Sequence, residues 1–148
     1  MSTHLLRVIP MDPYWVPEQV GIELARALLS RLLPGQAVEH RVYDEPVFID
    51  QGENFEDVRC PSCGTVLDAG WWGERMDEAD ATGFTELGVR CPACGRDTTL
   101  NDLDYRLPAG FARFELIVRD GASDLSAGQL AAVGEALGYA VRVVPARY

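Results

Sequence analysis

An α+β fold is the class this sequence predicts, on three observations. A strand–helix–strand pattern occurs twice, once in each outer third of the 148 residues. The segment between the two patterns carries all four cysteines and reads as a unit of its own. Proline and glycine clusters mark the junctions.

Residues 5–9 (LLRVI) form a short apolar run of strand character, stopped by Pro10 and the Asp12-Pro13 turn signal. Residues 17–33 (PEQVGIELARALLSRLL) predict a helix, with Pro17 at the first helical position and Glu18 where the helix dipole favours negative charge. Val20, Leu24, Leu28 and Leu32 recur at i+4 with Ala27 beside them, and are expected to form its buried stripe. Pro34-Gly35 ends the helix. Residues 38–43 (VEHRVY) alternate as a strand does, with Val38, His40 and Val42 on one side, and a second short run, residues 47–49, follows Pro46. Residues 51–59 are polar and lead into the cysteines, and residues 101–110 (NDLDYRLPAG) read as a connector.

The C-terminal third is cleaner. In residues 111–118 (FARFELIV), Phe114, Leu116 and Val118 face one way and Arg113 and Glu115 the other. Asp120-Gly121 is expected to break this strand. Ser126 and Gln129 fit a capping box, Leu130, Val133 and Leu137 supply an apolar helix face, and Gly138 suits the helix terminus. Residues 140–144 (AVRVV) make a final strand. Two βαβ halves with both helices on one face of a single four-stranded sheet would form a ferredoxin-like split βαβ. The expected division is an α+β body, residues 1–57 and 101–148, with residues 58–100 inserted between its halves.

The cysteines come as Cys60-Pro61-Ser62-Cys63-Gly64 and Cys91-Pro92-Ala93-Cys94-Gly95. Two residues between cysteines let both sulfurs reach one ion about 2.3 Å away. Proline fixes φ near about −65° at the turn, and glycine after the second cysteine permits the positive φ that leads the chain away. Backbone N–H groups in such a turn can point at the thiolates. Residues 58–100 resemble the zinc-ribbon family, whose two knuckles clamp one ion between short hairpins. The resemblance implies one structural Zn²⁺ held by Cys60, Cys63, Cys91 and Cys94. The 27 residues between the pairs exceed the commoner spacing of about 15–20. The extra length, residues 71–85, is expected as a loop or an extended hairpin. A rubredoxin-type iron site would use the same ligands. A redox dithiol is the competing reading, but such a site places its first cysteine at a helix N-terminus. Gly64-Thr65-Val66-Leu67 suits a strand better.

Four thiolates close a tetrahedron and leave no position for water, so the metal is expected to be structural and the chain not an enzyme. No phosphate loop, nucleophile elbow or His-Glu-x-x-His pattern occurs, and the two histidines, His4 and His40, lie far from the cysteines in sequence. His40, between Val38 and Val42, reads as a packed or surface residue. The net charge is −10, every basic residue is arginine, and residues 51–106 carry 12 acids against 5 arginines. Such a field repels phosphate backbones, so direct nucleic-acid binding is disfavoured. The N-terminus lacks the basic and apolar regions of a secretory signal, and no apolar run reaches the roughly 18 residues of a membrane helix. A cytoplasmic setting is therefore expected, where cysteines serve as ligands more than as disulfides. Together these features predict an acidic zinc-binding protein acting as a protein–protein interaction module, an adaptor or an inhibitor of immunity type. The alternative is a nucleic-acid-associated ribbon accessory to transcription or translation. Trp71, Trp72, Met76 and Phe84 are candidate partner contacts, with packing of the ribbon against the main sheet as the competing role.

Overall fold

A computed structural model describes residues 4–52, 55–119 and 125–148, and the expected break at Asp120-Gly121 lies outside them. The elements run β1 (His4–Pro10), α1 (Gln19–Leu32), β2 (Val38–Ile49), β3 (Val58–Arg59), α2 (Ala69–Asp80), β4 (Gly88–Arg90), β5 (Asp97–Thr99), β6 (Asp104–Tyr105), β7 (Gly110–Arg119), α3 (Ala127–Leu137) and β8 (Val141–Arg147). Four of the strands form one antiparallel sheet in the order β2-β7-β1-β8. The alternation in β7 places Phe114, Leu116 and Val118 beneath the helices, where they meet Leu6 and Val8 of β1. Ile22, Ala25 and Leu29 of α1 and Val133 and Leu137 of α3 close this core from above. The α3 termini follow the sequence: Ser126 and Gln129 make the capping box, and Gly138 ends the helix at φ 106°.

Helix α1 differs from expectation at both its start and its face. Glu18 is the N-cap, in an extended conformation, so Pro17 lies before the helix. The buried residues are Gly21, Ile22, Ala25 and Leu29, while Val20 and Leu24 are 59% and 56% exposed. Ala27 is exposed too, and Leu28 and Leu32 only flank the core. The small residues decide which stripe turns inward. A Cβ on Gly21 would lie 2.7 Å from the Leu137 carbonyl oxygen, so α3 crosses where α1 has no side chain. Strand β2 also differs: the two short runs are one strand, with its register irregular between Val42 and Val47. A bulge of this kind absorbs Asp44, Glu45 and Pro46 without ending the pairing.

On the opposite sheet face Glu115 is buried, with 1% of its surface accessible. Its Oε1 lies 3.3 Å from Arg7 Nε, an ion pair too poorly aligned to count as a hydrogen bond, and its Oε2 accepts from the Tyr43 hydroxyl. The chain leaving β2 reaches the far edge of the sheet, where Gly52 bridges Arg147. On the way the Asp50 carbonyl accepts from Arg7 Nη1 and from the Tyr148 hydroxyl.

The cysteine unit sits on a second core that includes Val58, Leu67, Leu87, Leu100, Tyr105 and Phe111. Residues 104–105, expected as plain connector, pair with β3 and form a neck: Val58 faces Tyr105 and Arg59 faces Asp104. Residues 69–80, most of them in the stretch expected as a loop or extended hairpin, are helix α2. Its start is set by Asp68, whose carboxylate accepts the Trp71 N–H. Glu74, Arg75, Met76 and Glu78 are good helix formers that Gly70 and Gly73 obscure in the sequence. Phe111 and Phe48 belong to the main sheet and pack into this second core, and Asn101 fastens the two parts. Its Oδ1 accepts the Phe111 N–H at 2.8 Å and its Nδ2 donates to the Met11 carbonyl at 3.1 Å.

Candidate metal centre

Both Cys-Pro-x-Cys-Gly segments fold into the same turn. The Gly64 N–H donates to the Cys60 carbonyl and the Gly95 N–H to the Cys91 carbonyl, each at 2.9 Å. The Cys60 N–H reaches the Thr65 carbonyl and the Cys91 N–H the Arg96 carbonyl, each at 3.0 Å. Gly64 and Gly95 adopt φ of 73° and 74°, the left-handed region expected of them. The Ser62 and Ala93 amides each point at the preceding cysteine sulfur at 3.4 Å. Such donors stabilise thiolate over thiol. The first knuckle hangs from β3, and Arg59 makes an antiparallel bridge with Val66. The second knuckle links β4 to β5, which pair from Gly88–Thr99 to Arg90–Asp97.

The two turns bring all four sulfurs within 4.8 Å of one another. Across the gap, Cys60 Sγ is 3.8 Å from Cys94 Sγ and Cys63 Sγ is 3.8 Å from Cys91 Sγ. A tetrahedron with metal–sulfur bonds of about 2.3 Å has edges of about 3.8 Å, which is the spacing of these two cross-knuckle pairs. Cys60 and Cys91 are buried and Cys63 and Cys94 lie at the surface. The four can hold a metal ion. No other such group of ligands occurs among the described residues.

Without an ion the thiols divide their protons unequally. The Thr65 hydroxyl, 3.2 Å from Cys63 Sγ, leads the causes that lower Cys63 to about 6. The Cys94 amide, helped by that of Ala93, lowers Cys91. Cys94 moves up to about 11: the Arg96 amide draws it down, but desolvation and the neighbouring sulfurs outweigh it. A cation in the centre of the cluster would release the protons that the sulfurs still hold. Thr65 was not among the residues singled out from the sequence. Aligning the knuckles sets it opposite Arg96, and that asymmetry is the signal that marks it.

Trp71, Trp72, Met76 and Phe84 are partly buried against the second core. Trp72 stacks on Phe55 with ring centroids 5.6 Å apart, and its Nε1 donates to the Tyr105 hydroxyl at 3.3 Å. Phe84 lies against Phe111 at 5.1 Å, and Arg75 sits over the Trp71 ring. The packing role therefore accounts for much of their surface. His40 is half-buried, stacked on Phe114 with Arg26 beside it. An open groove of about 650 Å³ between α3 and β8 is lined by Leu130, Ala131, Gly134, Tyr139 and Val141, with Glu135 the one carboxylate among its described residues. No helix among the described residues is long and apolar enough to cross a membrane. No family model, curated protein or solved structure matches the chain, so the four-sulfur cluster stands on its own geometry.

Proposed function

We propose that the chain is a non-catalytic, acidic zinc-binding protein that acts as a protein–protein interaction module of adaptor or inhibitor type in the cytoplasm. The observation that carries this reading is the closed cluster of Cys60, Cys63, Cys91 and Cys94, all sulfurs within 4.8 Å. Four thiolates fill zinc's coordination and leave no place for a substrate or an activated water. The ion then stabilises a unit of short strands and one helix, and apparent zinc energies of about 10–16 kcal/mol are ample for that. The paired knuckles support a zinc-ribbon assignment for residues 58–100, with α2 as an elaboration between them. Strand order β2-β7-β1-β8 with α1 and α3 packed on one face supports a ferredoxin-like split βαβ for the body. Residues 51–106 carry 12 acids against 5 arginines, which favours a basic protein over nucleic acid as partner.

Purification from the native source with metal analysis of the same sample tests the reading. One zinc per chain and a basic protein recovered at equal stoichiometry are expected, with the partner lost at high salt. Cys91→Ser should lower the metal content to near zero. Metal-free protein, or recovered nucleic acid in place of protein, would sink it.

A further inference from the structure

We propose that a hollow beside the first knuckle is a binding site for a cationic side chain, arginine or lysine, presented by a protein partner; this rests on the interaction-module reading above. The hollow holds about 460 Å³ and lies between residues 55–58 and residues 66–72. That volume is within the roughly 300–1,000 Å³ of ligand sites. Its floor is aromatic: the Phe55 and Trp72 rings stack at 29°, and Phe55 keeps 41% of its surface open to solvent. Val66, 52% exposed, forms part of the apolar wall. Three carboxylates, Glu56, Asp57 and Asp68, line the same hollow, and among the described residues no basic side chain does.

An apolar surface rimmed by carboxylates matches a side chain with an aliphatic stem and a charged head. The stem of arginine or lysine covers Val66 and the aromatic faces, and the head reaches the acids. Guanidinium is the better fit, because it stacks on rings and binds carboxylates through two parallel donors. Two of the carboxylates have partial commitments. Asp57 accepts from Arg59 at both oxygens, Nε to Oδ1 at 3.4 Å and Nη2 to Oδ2 at 3.5 Å. The contacts are long and both side chains are 32% exposed, so an incoming cation competes with Arg59 for it. Asp68 Oδ2 accepts the Trp71 N–H, which leaves its other oxygen for a ligand, and the carboxylate offsets the positive end of α2. Glu56 is exposed at the rim. An anionic head would meet three carboxylates, and a neutral one would leave Glu56 and Asp68 without a cationic partner.

The test is a phage-displayed library of random nine-residue peptides, selected on the full metal-loaded chain. Dissociation constants of the enriched peptides are then read by fluorescence anisotropy. The winners should carry arginine or lysine, and citrulline or norleucine in its place should weaken binding at least tenfold. Phe55→Ala and Glu56→Gln should each weaken it several-fold, while Glu135→Gln on α3 should leave it unchanged. Phe55 and Glu56 are both exposed, so circular dichroism and metal content should match the parent and separate lost binding from lost fold. No enrichment, enrichment of peptides without a cation, or indifference to both substitutions overturns the site. A native partner that binds Phe55→Ala and Glu56→Gln as tightly as the parent removes the hollow and leaves the module reading standing. Cationic peptides bound as described, with no protein partner recovered from the native source, remove the module reading and leave the hollow.

Discussion

Tyr148 and Tyr43 bracket the ionic network beneath the main sheet, and their phenols set how the fold responds to alkali. Tyr148 donates to Asp50 Oδ1 and lies under the Arg7 guanidinium, and Tyr43 donates to the buried Glu115. Burial first, then the Asp50 carboxylate, pushes Tyr148 up to about 12 from an ordinary value of 10.0. Burial and Glu115 raise Tyr43 likewise, and burial raises Tyr105. A raised phenol holds its proton more tightly folded than unfolded. The stability it adds is therefore complete below about pH 10 and lost as pH climbs from about 10 to about 12. Urea midpoints of the metal-loaded chain should be level up to about pH 9.5 and fall above it. Tyr148→Phe should make the fall shallower, and a midpoint unchanged to about pH 11.5 would contradict the assignment. At this scale the clustering of the four cysteines was legible, because each knuckle is specified by five consecutive residues. The burial of Glu115 was not. Alternation put it on the second sheet face, but its partners there, Arg7 of β1 and Tyr43 of β2, are set by the strand order and not by the local pattern.

Helix α1 has two apolar stripes, and the sequence pattern alone does not choose between them. The i+4 series from Val20 is as regular as the series Ile22, Ala25, Leu29, and the choice lies in the room that Gly21 gives α3. Gly21→Ala would drive a Cβ into the Leu137 carbonyl and should cost about 1–3 kcal/mol in urea unfolding, despite alanine's better helix propensity. Leu24→Ala, on the exposed stripe, should stay within about 0.5 kcal/mol. Equal effects would mean that α1 sits in another rotation. Strands β1, β7 and β8 and helix α3 were legible because their periodicity and caps agree with their burial. Helix α2 was hidden for the opposite reason: its glycines and paired tryptophans weaken the local signal, and packing against Phe48 and Tyr105 supplies what propensity does not.

Across the whole molecule, the second core and the main sheet meet at Phe111 and Phe48, with Asn101 bonded across the junction to Met11 and Phe111. The metal should stabilise them unequally. Stripping the ion with a chelator should release amide protection across residues 58–105 first, while the central strands β1 and β7 keep theirs, in hydrogen exchange followed by mass spectrometry. Simultaneous loss throughout would show one cooperative unit instead of two.

The neck formed by β3 and β6 also has a bearing on how quickly the chain folds. Ile49 and Gly110 must meet to pair β2 with β7, yet residues 50–109 separate them. With Val58 already against Tyr105 and the Arg106 amide bonded to the Asp57 carbonyl, only residues 50–57 and 106–109 still have to be gathered in. That shortens the effective loop by a little over two doublings, about 1.4 kcal/mol of closure entropy, or roughly tenfold in rate. An ion captured early would act as a kinetic shortcut. Stopped-flow refolding should run up to about tenfold faster with metal present than without it, and identical rates would place sheet formation ahead of capture.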